Sequence, residues 1–192
     1  KFDNETGKFY NSMFAINNNF EIIQSYDKQK LVPFGEFLPF EKLFSIFGLK
    51  KITEGSGSYS IGKRNENIII DEMNILPLIC YEIIFTNLVQ QSNHNTNLII
   101  NISEDGWFGK TIGPSQHYAK SILRAVENNT FLLRSANKGL SVIIDNKGNT
   151  VKRLNQNEAG NIVLEVPLIK SNKNKNDLIF FVVLITYLLF FL

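Results

Sequence analysis

The chain has one cysteine, Cys80, and it stands where an apolar run meets a carboxylate: Ile75-Leu76-Pro77-Leu78-Ile79-Cys80-Tyr81-Glu82. A strand that stops at a thiol is a mount for a nucleophile. The thiol acts as one when its thiolate is stabilised, its proton has an acceptor and the developing oxyanion has donors. A second reading is open, since a free cysteine most often packs as a small hydrophobe. Lys28, in Tyr26-Asp27-Lys28-Gln29-Lys30, is a cation that would stabilise a thiolate and hold an oxyanion; at a strand end it also reads as an ordinary solvated lysine. Glu36 lies in the turn Pro33-Phe34-Gly35-Glu36, with Phe34 and Phe37 beside it. Apolar flanks would desolvate it and make it a better base, while a loop carboxylate also caps backbone amides. Glu82 reads as a structural ligand, either of Lys28 or of backbone amides.

A rival constellation pairs Cys80 with His117. His117 falls two positions before Ala119, off the apolar side of its predicted helix, which favours a packing or orienting role. With two histidines, His94 and His117, and one cysteine, no structural metal site is expected, and no cofactor motif is present. The glycines Gly55, Gly57 and Gly62 lack the strand–loop–helix context of a phosphate-binding fingerprint. In Asn101-Ile-Ser-Glu-Asp-Gly-Trp-Phe-Gly109, two glycines bracket Trp107 and Phe108. That pair either lines an apolar substrate pocket or pins a loop to the core.

These residues must be positioned by a single domain: the chain has 192 residues, 44% of them hydrophobic. The net charge is +2, with Lys and Arg scattered rather than interleaved with aromatics, which argues against nucleic-acid binding. One cysteine forms no internal disulfide. The first residue is Lys1, no signal peptide follows, and residues 10–16 already read as a strand in mid-fold. The expectation is a chain that starts inside a larger protein, or one product of a split gene.

Alternation and turn residues predict a hairpin of 10–16 and 20–26 around Asn17-Asn18-Asn19, a shaped loop over 31–40, a short helix over 41–47 and a flexible loop over 53–63. Strands follow at 67–71 and 75–80, then a helix over 83–92 and a strand at 97–102. Ala119, Ile122, Leu123 and Val126 recur at helical spacing and predict a helix over 114–128, begun by Pro114 and capped by Ser115 or Gly113. Strands at 131–135, 140–145, 150–154 and 160–166 complete the pattern, with a turn at 146–149. Strands with helices between them predict an α/β fold with a sheet-on-sheet core covered by helices. Residues 170–177 are a polar linker. From Leu178 to Leu192 every residue but Thr186 is apolar, which reads as a membrane helix. Lys170, Lys173 and Lys175 would by themselves put the domain on the cytoplasmic side.

Several segments in order resemble one family. They are Tyr26-x-Lys28, Leu31-Val-Pro-Phe-Gly-Glu36, Ile79-Cys80-Tyr81-Glu82, Asn101-x-Ser103, Asp105-Gly-Trp107-Phe-Gly109, Gly113-Pro-x-Gln116-His117, Arg124-Ala-x-Glu127 and Arg134-x-x-Asn137-x-Gly139. They resemble the nitrilase-like domain of the bacterial apolipoprotein N-acyltransferases, a branch of the carbon–nitrogen hydrolase superfamily. The resemblance implies an α-β-β-α sandwich of four layers, N-terminally incomplete over residues 1–169, with a last transmembrane helix at 178–192. It implies Cys80 as nucleophile and Lys28 as catalytic lysine, with Glu36, Tyr81 and Glu82 supporting and Trp107 and Phe108 in the substrate pocket. The family's general-base glutamate has no match here, so the chain alone is expected to be inactive. A separate N-terminal half is an implied partner. The implied reaction moves an acyl chain from a phospholipid through a Cys80 thioester to the N-terminal diacylglyceryl-cysteine of a lipoprotein, with no cofactor. The implied location is the periplasmic side of the inner membrane, against the lysine-based orientation. A membrane-tethered amidase and an inactive remnant of a split gene are the alternatives.

Overall fold

The computed structural model describes residues 1–40, 58–63, 67–90, 95–171 and 177–191. The expected helix at 41–47 and residues 53–57 of the expected loop lie outside them. Two short strands, β1 (Phe2–Asp3) and β2 (Lys8–Phe9), pair ahead of the hairpin β3 (Ser12–Ile16) and β4 (Ile22–Asp27). A six-stranded sheet carries β5 (Ile68–Ile70), β6 (Met73–Ile79), β7 (Leu98–Glu104), β8 (Phe131–Asn137), β9 (Ser141–Ile144) and β10 (Thr150–Leu154). Its order is β10-β9-β8-β7-β6-β5; β6, β7 and β8 run parallel, and the outer pairings are antiparallel. The α/β expectation holds, with a mixed sheet and few helices.

Side-chain alternation along the parallel strands builds two cores. One face gives Leu76, Leu78, Ile99 and Leu132 to a cluster with Ile83, Val89 and Ala125 beneath the helices. The other gives Ile75, Ile79, Leu98 and Phe131 to a cluster closed by Tyr26 of the hairpin. Among the described residues the hairpin is the layer facing the large sheet on that side.

Four expectations are corrected. The helix expected over 83–92 is a 3-10 turn, Cys80–Ile84, followed by the short α1 (Thr86–Gln90), and residues 91–92 lie outside the described residues. The tight turn folds the Glu82 carboxylate back onto the Ile79 N–H at 2.8 Å. The helix expected over 114–128 is present as α2 (Gly113–Asn128), but its N-cap is Ile112, which makes no side-chain capping bond, and Gly113 and Ser115 lie inside the helix. Its apolar stripe faces largely outward: Ala119, Leu123 and Val126 are exposed and Ile122 alone of the four packs on the core, while His117, Ser121, Arg124 and Asn128 are buried. The helix turns this way because the sheet beneath it is polar at that end, presenting Asn101, Asp105 and Arg134. The strand expected at 160–166 joins no ladder, although Ile162, Leu164 and Val166 pack on the hairpin-side core. Period-two burial reports a face against a core, not a backbone partner.

The fourth correction concerns the terminal apolar segment. It forms α3 (Asp177–Phe191), whose 15 residues rise about 22 Å against a hydrocarbon core of about 30 Å. No helix among the described residues is long and apolar enough to cross a membrane.

Candidate functional site

β6 ends at Ile79, and Cys80 takes φ 52°, the left-handed region, as the first residue of the 3-10 turn. A cysteine held there is strained by about 1–2 kcal/mol, and the sharp turn presents its half-buried thiol at the end of the strand. The C-terminal ends of parallel strands are the usual crevice of an open α/β sheet. Here a cavity of about 670 Å³ opens there, and both Cys80 and Lys28 line it. Ile79, Tyr81, Ile102, Trp107 and Phe108 form its apolar wall.

Lys28 follows β4 and is 1% exposed, far from the solvated lysine of the alternative reading. Its Nζ donates to Glu36 Oε2 at 2.8 Å. Glu36 also accepts from Asn11 Nδ2 at 2.6 Å and from the Val32 N–H at 2.8 Å. The carboxylate flanked by phenylalanines is therefore committed to Lys28, rather than standing free as a base. The hairpin register sets Ser12 opposite Asp27, so Asn11 lies beside Lys28, and the Lys28 N–H donates to the Asn11 carbonyl at 2.8 Å. On the other side the Gly62 N–H donates to the Lys28 carbonyl at 2.8 Å. A Cβ at Gly62 would sit 2.1 Å from the Asp27 carbonyl oxygen, so only glycine permits that approach.

Glu82 is fully buried and holds backbone N–H groups and the Tyr26 hydroxyl, not the Lys28 ammonium. Its Oε1 accepts from Tyr26 Oη at 2.9 Å, the Gln29 N–H at 2.7 Å and the Lys30 N–H at 3.0 Å, while Oε2 accepts from the Ile79 N–H. Burial pushes its carboxyl above the usual range, more strongly than the three backbone N–H groups and the tyrosine hydroxyl pull it down. The same burial and the neighbouring carboxylate raise the Tyr26 hydroxyl, keeping it a donor.

His117 does not line the cavity. It is buried on the opposite face of the sheet, where Nδ1 lies 3.3 Å from Asp105 Oδ1 and the ring meets Phe108 edge-on at 4.7 Å. That is the orienting role, and the Cys80–His117 dyad is set aside. Asp105 also accepts from Ser103 Oγ at 2.7 Å and Arg134 Nη2 at 2.6 Å. Burial alone would raise the Asp105 carboxyl, but His117, the Arg134 guanidinium and Ser103 outweigh it and bring it down to about 2. Arg134 donates as well to Asn101 Oδ1, whose Nδ2 reaches the Leu78 carbonyl at 3.0 Å. Gly139 is required here, because a Cβ would meet Asp105 Oδ2 at 2.2 Å. Strand β7, expected at 97–102, runs on to Glu104, and the Asp105–Phe108 turn closes it. Trp107 is 56% exposed and cannot pin that turn to the core. It forms part of the cavity rim.

The sequence reading misses Asn11 and Glu104, both of which line the cavity, and assigns no role to Asn101, Asp105 or Arg134. The available signal was parallel alignment: β7 and β8 pair Asn101 with Arg134, which places a buried amide beside a buried guanidinium.

A carbon–nitrogen hydrolase family profile matches residues 1–172. The chain is 40% identical over 154 residues to an apolipoprotein N-acyltransferase of Rhizobium leguminosarum bv. trifolii, covering 80% of this chain and 29% of that protein. It is 42% identical over 163 residues to one of Rickettsia typhi, covering 83% of this chain and 32% of that protein. The chain thus spans about a third or less of the length of these relatives. The fold is similar to the crystal structure of a carbon–nitrogen hydrolase from Helicobacter pylori, with TM-score 0.59 and 13% identity over 82% of this chain and 57% of that one. The chain belongs to the carbon–nitrogen hydrolase family.

Proposed function

We propose that this chain carries the acyl-transfer site of a lipoprotein N-acyltransferase. The observation that carries the reading is that Cys80, on a strained turn, and Lys28, buried and oriented by Glu36, line one cavity with an apolar wall suited to an acyl chain. The similarity to apolipoprotein N-acyltransferases supports it.

In this mechanism the Cys80 thiolate attacks the carbonyl carbon of a phospholipid ester. The tetrahedral oxyanion is held by Lys28 Nζ and the Tyr81 backbone N–H. The carbon–oxygen bond breaks, the lysophospholipid oxygen takes a proton, and a thioester remains on Cys80. The amine of an N-terminal diacylglyceryl-cysteine then attacks the thioester, loses a proton and expels the thiolate. Glu36 and Glu82 position Lys28, and Tyr81, Trp107 and Phe108 contact the acyl donor. The readout asked of these residues alone is a single loading of Cys80, not steady turnover. The four-layer sandwich is part of the proposal: Phe14, Ile16, Ile22 and Ile23 of the hairpin are exposed and suit coverage by a further layer. So is the membrane: residues 181–190 of α3 are exposed and apolar save Thr186, and we place the domain on the periplasmic side of the inner membrane with that helix in contact with lipid.

The test is intact-mass analysis of the chain after incubation with phospholipid, with peptide mapping of any acyl adduct. The adduct maps to Cys80 and is released by a lipopeptide amine. Turnover of small amides with no phospholipid requirement would instead assign an amidase.

A further inference from the structure

Among the described residues three charged side chains line the cavity: Lys28, Glu36 and Glu104. Lys28 and Glu36 neutralise each other at 2.8 Å. Glu104, the last residue of β7, is half-buried and has no such partner; among the described residues it forms no ion pair. Its orientation is nevertheless fixed. Oε1 accepts from the Gly106 N–H at 2.8 Å and Oε2 from Asn137 Nδ2 at 2.5 Å, both neutral donors. A carboxylate offers about four lone-pair directions, so two remain for a ligand. Among the described residues the cavity therefore carries one fixed carboxylate with no direct ion pair, the Lys138 chain passing beside it without closing one, an arrangement that a cationic donor completes.

We propose that Glu104 anchors a primary ammonium group of the substrate in the Cys80 cavity. This deepens the acyl-transfer reading and rests on it for the identity of the ligand, since the acceptor of that reaction is a primary amine. The ammonium donates an N–H to Glu104 Oε, which holds the amine at the cavity that contains the thioester. An ethanolamine headgroup on the acyl donor offers the same chemistry, and the experiment separates the two sources.

Trp107 is the only tryptophan of the chain and lines the same cavity, so its fluorescence reports occupancy. The full chain in detergent micelles is titrated with a diacylglyceryl-cysteine dipeptide, its N-acetylated form, phosphatidylethanolamine and phosphatidylglycerol. The free amine is expected to bind at least about tenfold more tightly than its acetylated form, with the preference abolished in Glu104→Gln. If the Glu104-dependent preference appears only for phosphatidylethanolamine over phosphatidylglycerol, the ammonium belongs to the donor headgroup. Equal binding of both members of each pair, or a preference that survives Glu104→Gln, overturns the proposal. Should Glu104→Gln fail to fold, Glu104→Asp supplies the readout: withdrawing the carboxylate by one methylene cuts the preference several-fold, and an unchanged preference overturns the proposal. Failure of phospholipid to load Cys80 would sink the acyl-transfer reading, while a Glu104-dependent preference for the amine would still stand.

Discussion

Glu82 Oε1 accepts the N–H of Gln29 at 2.7 Å, which bonds the residue two places after Cys80 to the residue one place after Lys28. The carboxylate gathers three backbone N–H groups from two separate segments and fixes the nucleophile turn against the lysine loop. Replacing Glu82 by Ala leaves those donors buried without an acceptor, at about 1–3 kcal/mol each where water cannot reach. The variant is expected to lose at least about 3 kcal/mol in urea unfolding, and acylation of Cys80 with it. Unchanged stability would show that Glu82 is not the strut between the two segments.

Asp105 gives the protein an acid limb. Its carboxyl sits at about 2 in the folded state against an ordinary 3.8, so its contribution is present above 3.8 and is lost as pH falls through about 2. The shift corresponds to on the order of 2 kcal/mol. Glu82 has the opposite sign. Its folded carboxyl is raised, so its contribution is complete below 4.5 and declines as pH rises through the raised value. Denaturant midpoints across acid pH are expected to show an Asp105 limb in the parent that is absent in Asp105→Asn. A limb that persists in Asp105→Asn would assign it elsewhere.

How legible was this site beforehand? Cys80 and Lys28 stood out because strand ends mark themselves by composition, and the hairpin because Asn17-Asn18-Asn19 marks its turn. The inward face of α2 was not legible, because periodicity locates an apolar stripe but does not say that the sheet below it is polar. That polarity comes from Asn101, Asp105 and Arg134, which meet only after β7 and β8 align. Asn11 was invisible for the same reason: its role follows from hairpin register, not from local sequence. The strand expected at 160–166 shows the converse, a correct burial pattern without a ladder.

The left-handed Cys80 separates stability from chemistry. Cys80→Gly relieves the backbone strain, whereas Cys80→Ala keeps it. The glycine variant is expected to be about 1 kcal/mol more stable than the alanine variant by chemical denaturation, with no thioester in either. Equal stabilities would mean the turn relaxes when the thiol is removed.

Glu36 is the counter-charge of a lysine with almost no access to water. Glu36→Gln strips that charge and leaves a buried ammonium uncompensated, a change worth about 3–5 kcal/mol in comparable buried pairs. Thermal melting is expected to fall accordingly, with weaker acylation of Cys80. A variant that melts with the parent would return Lys28 to the status of a solvated side chain.

The central claim is that Cys80 carries the acyl chain. Intact-mass analysis of the folded chain after prolonged incubation with phospholipid tests it most directly. The account predicts one acyl chain per protein, mapped to Cys80, absent from Cys80→Ala and discharged by a lipopeptide amine. The same adduct in Cys80→Ala, or none in the folded parent, would contradict it.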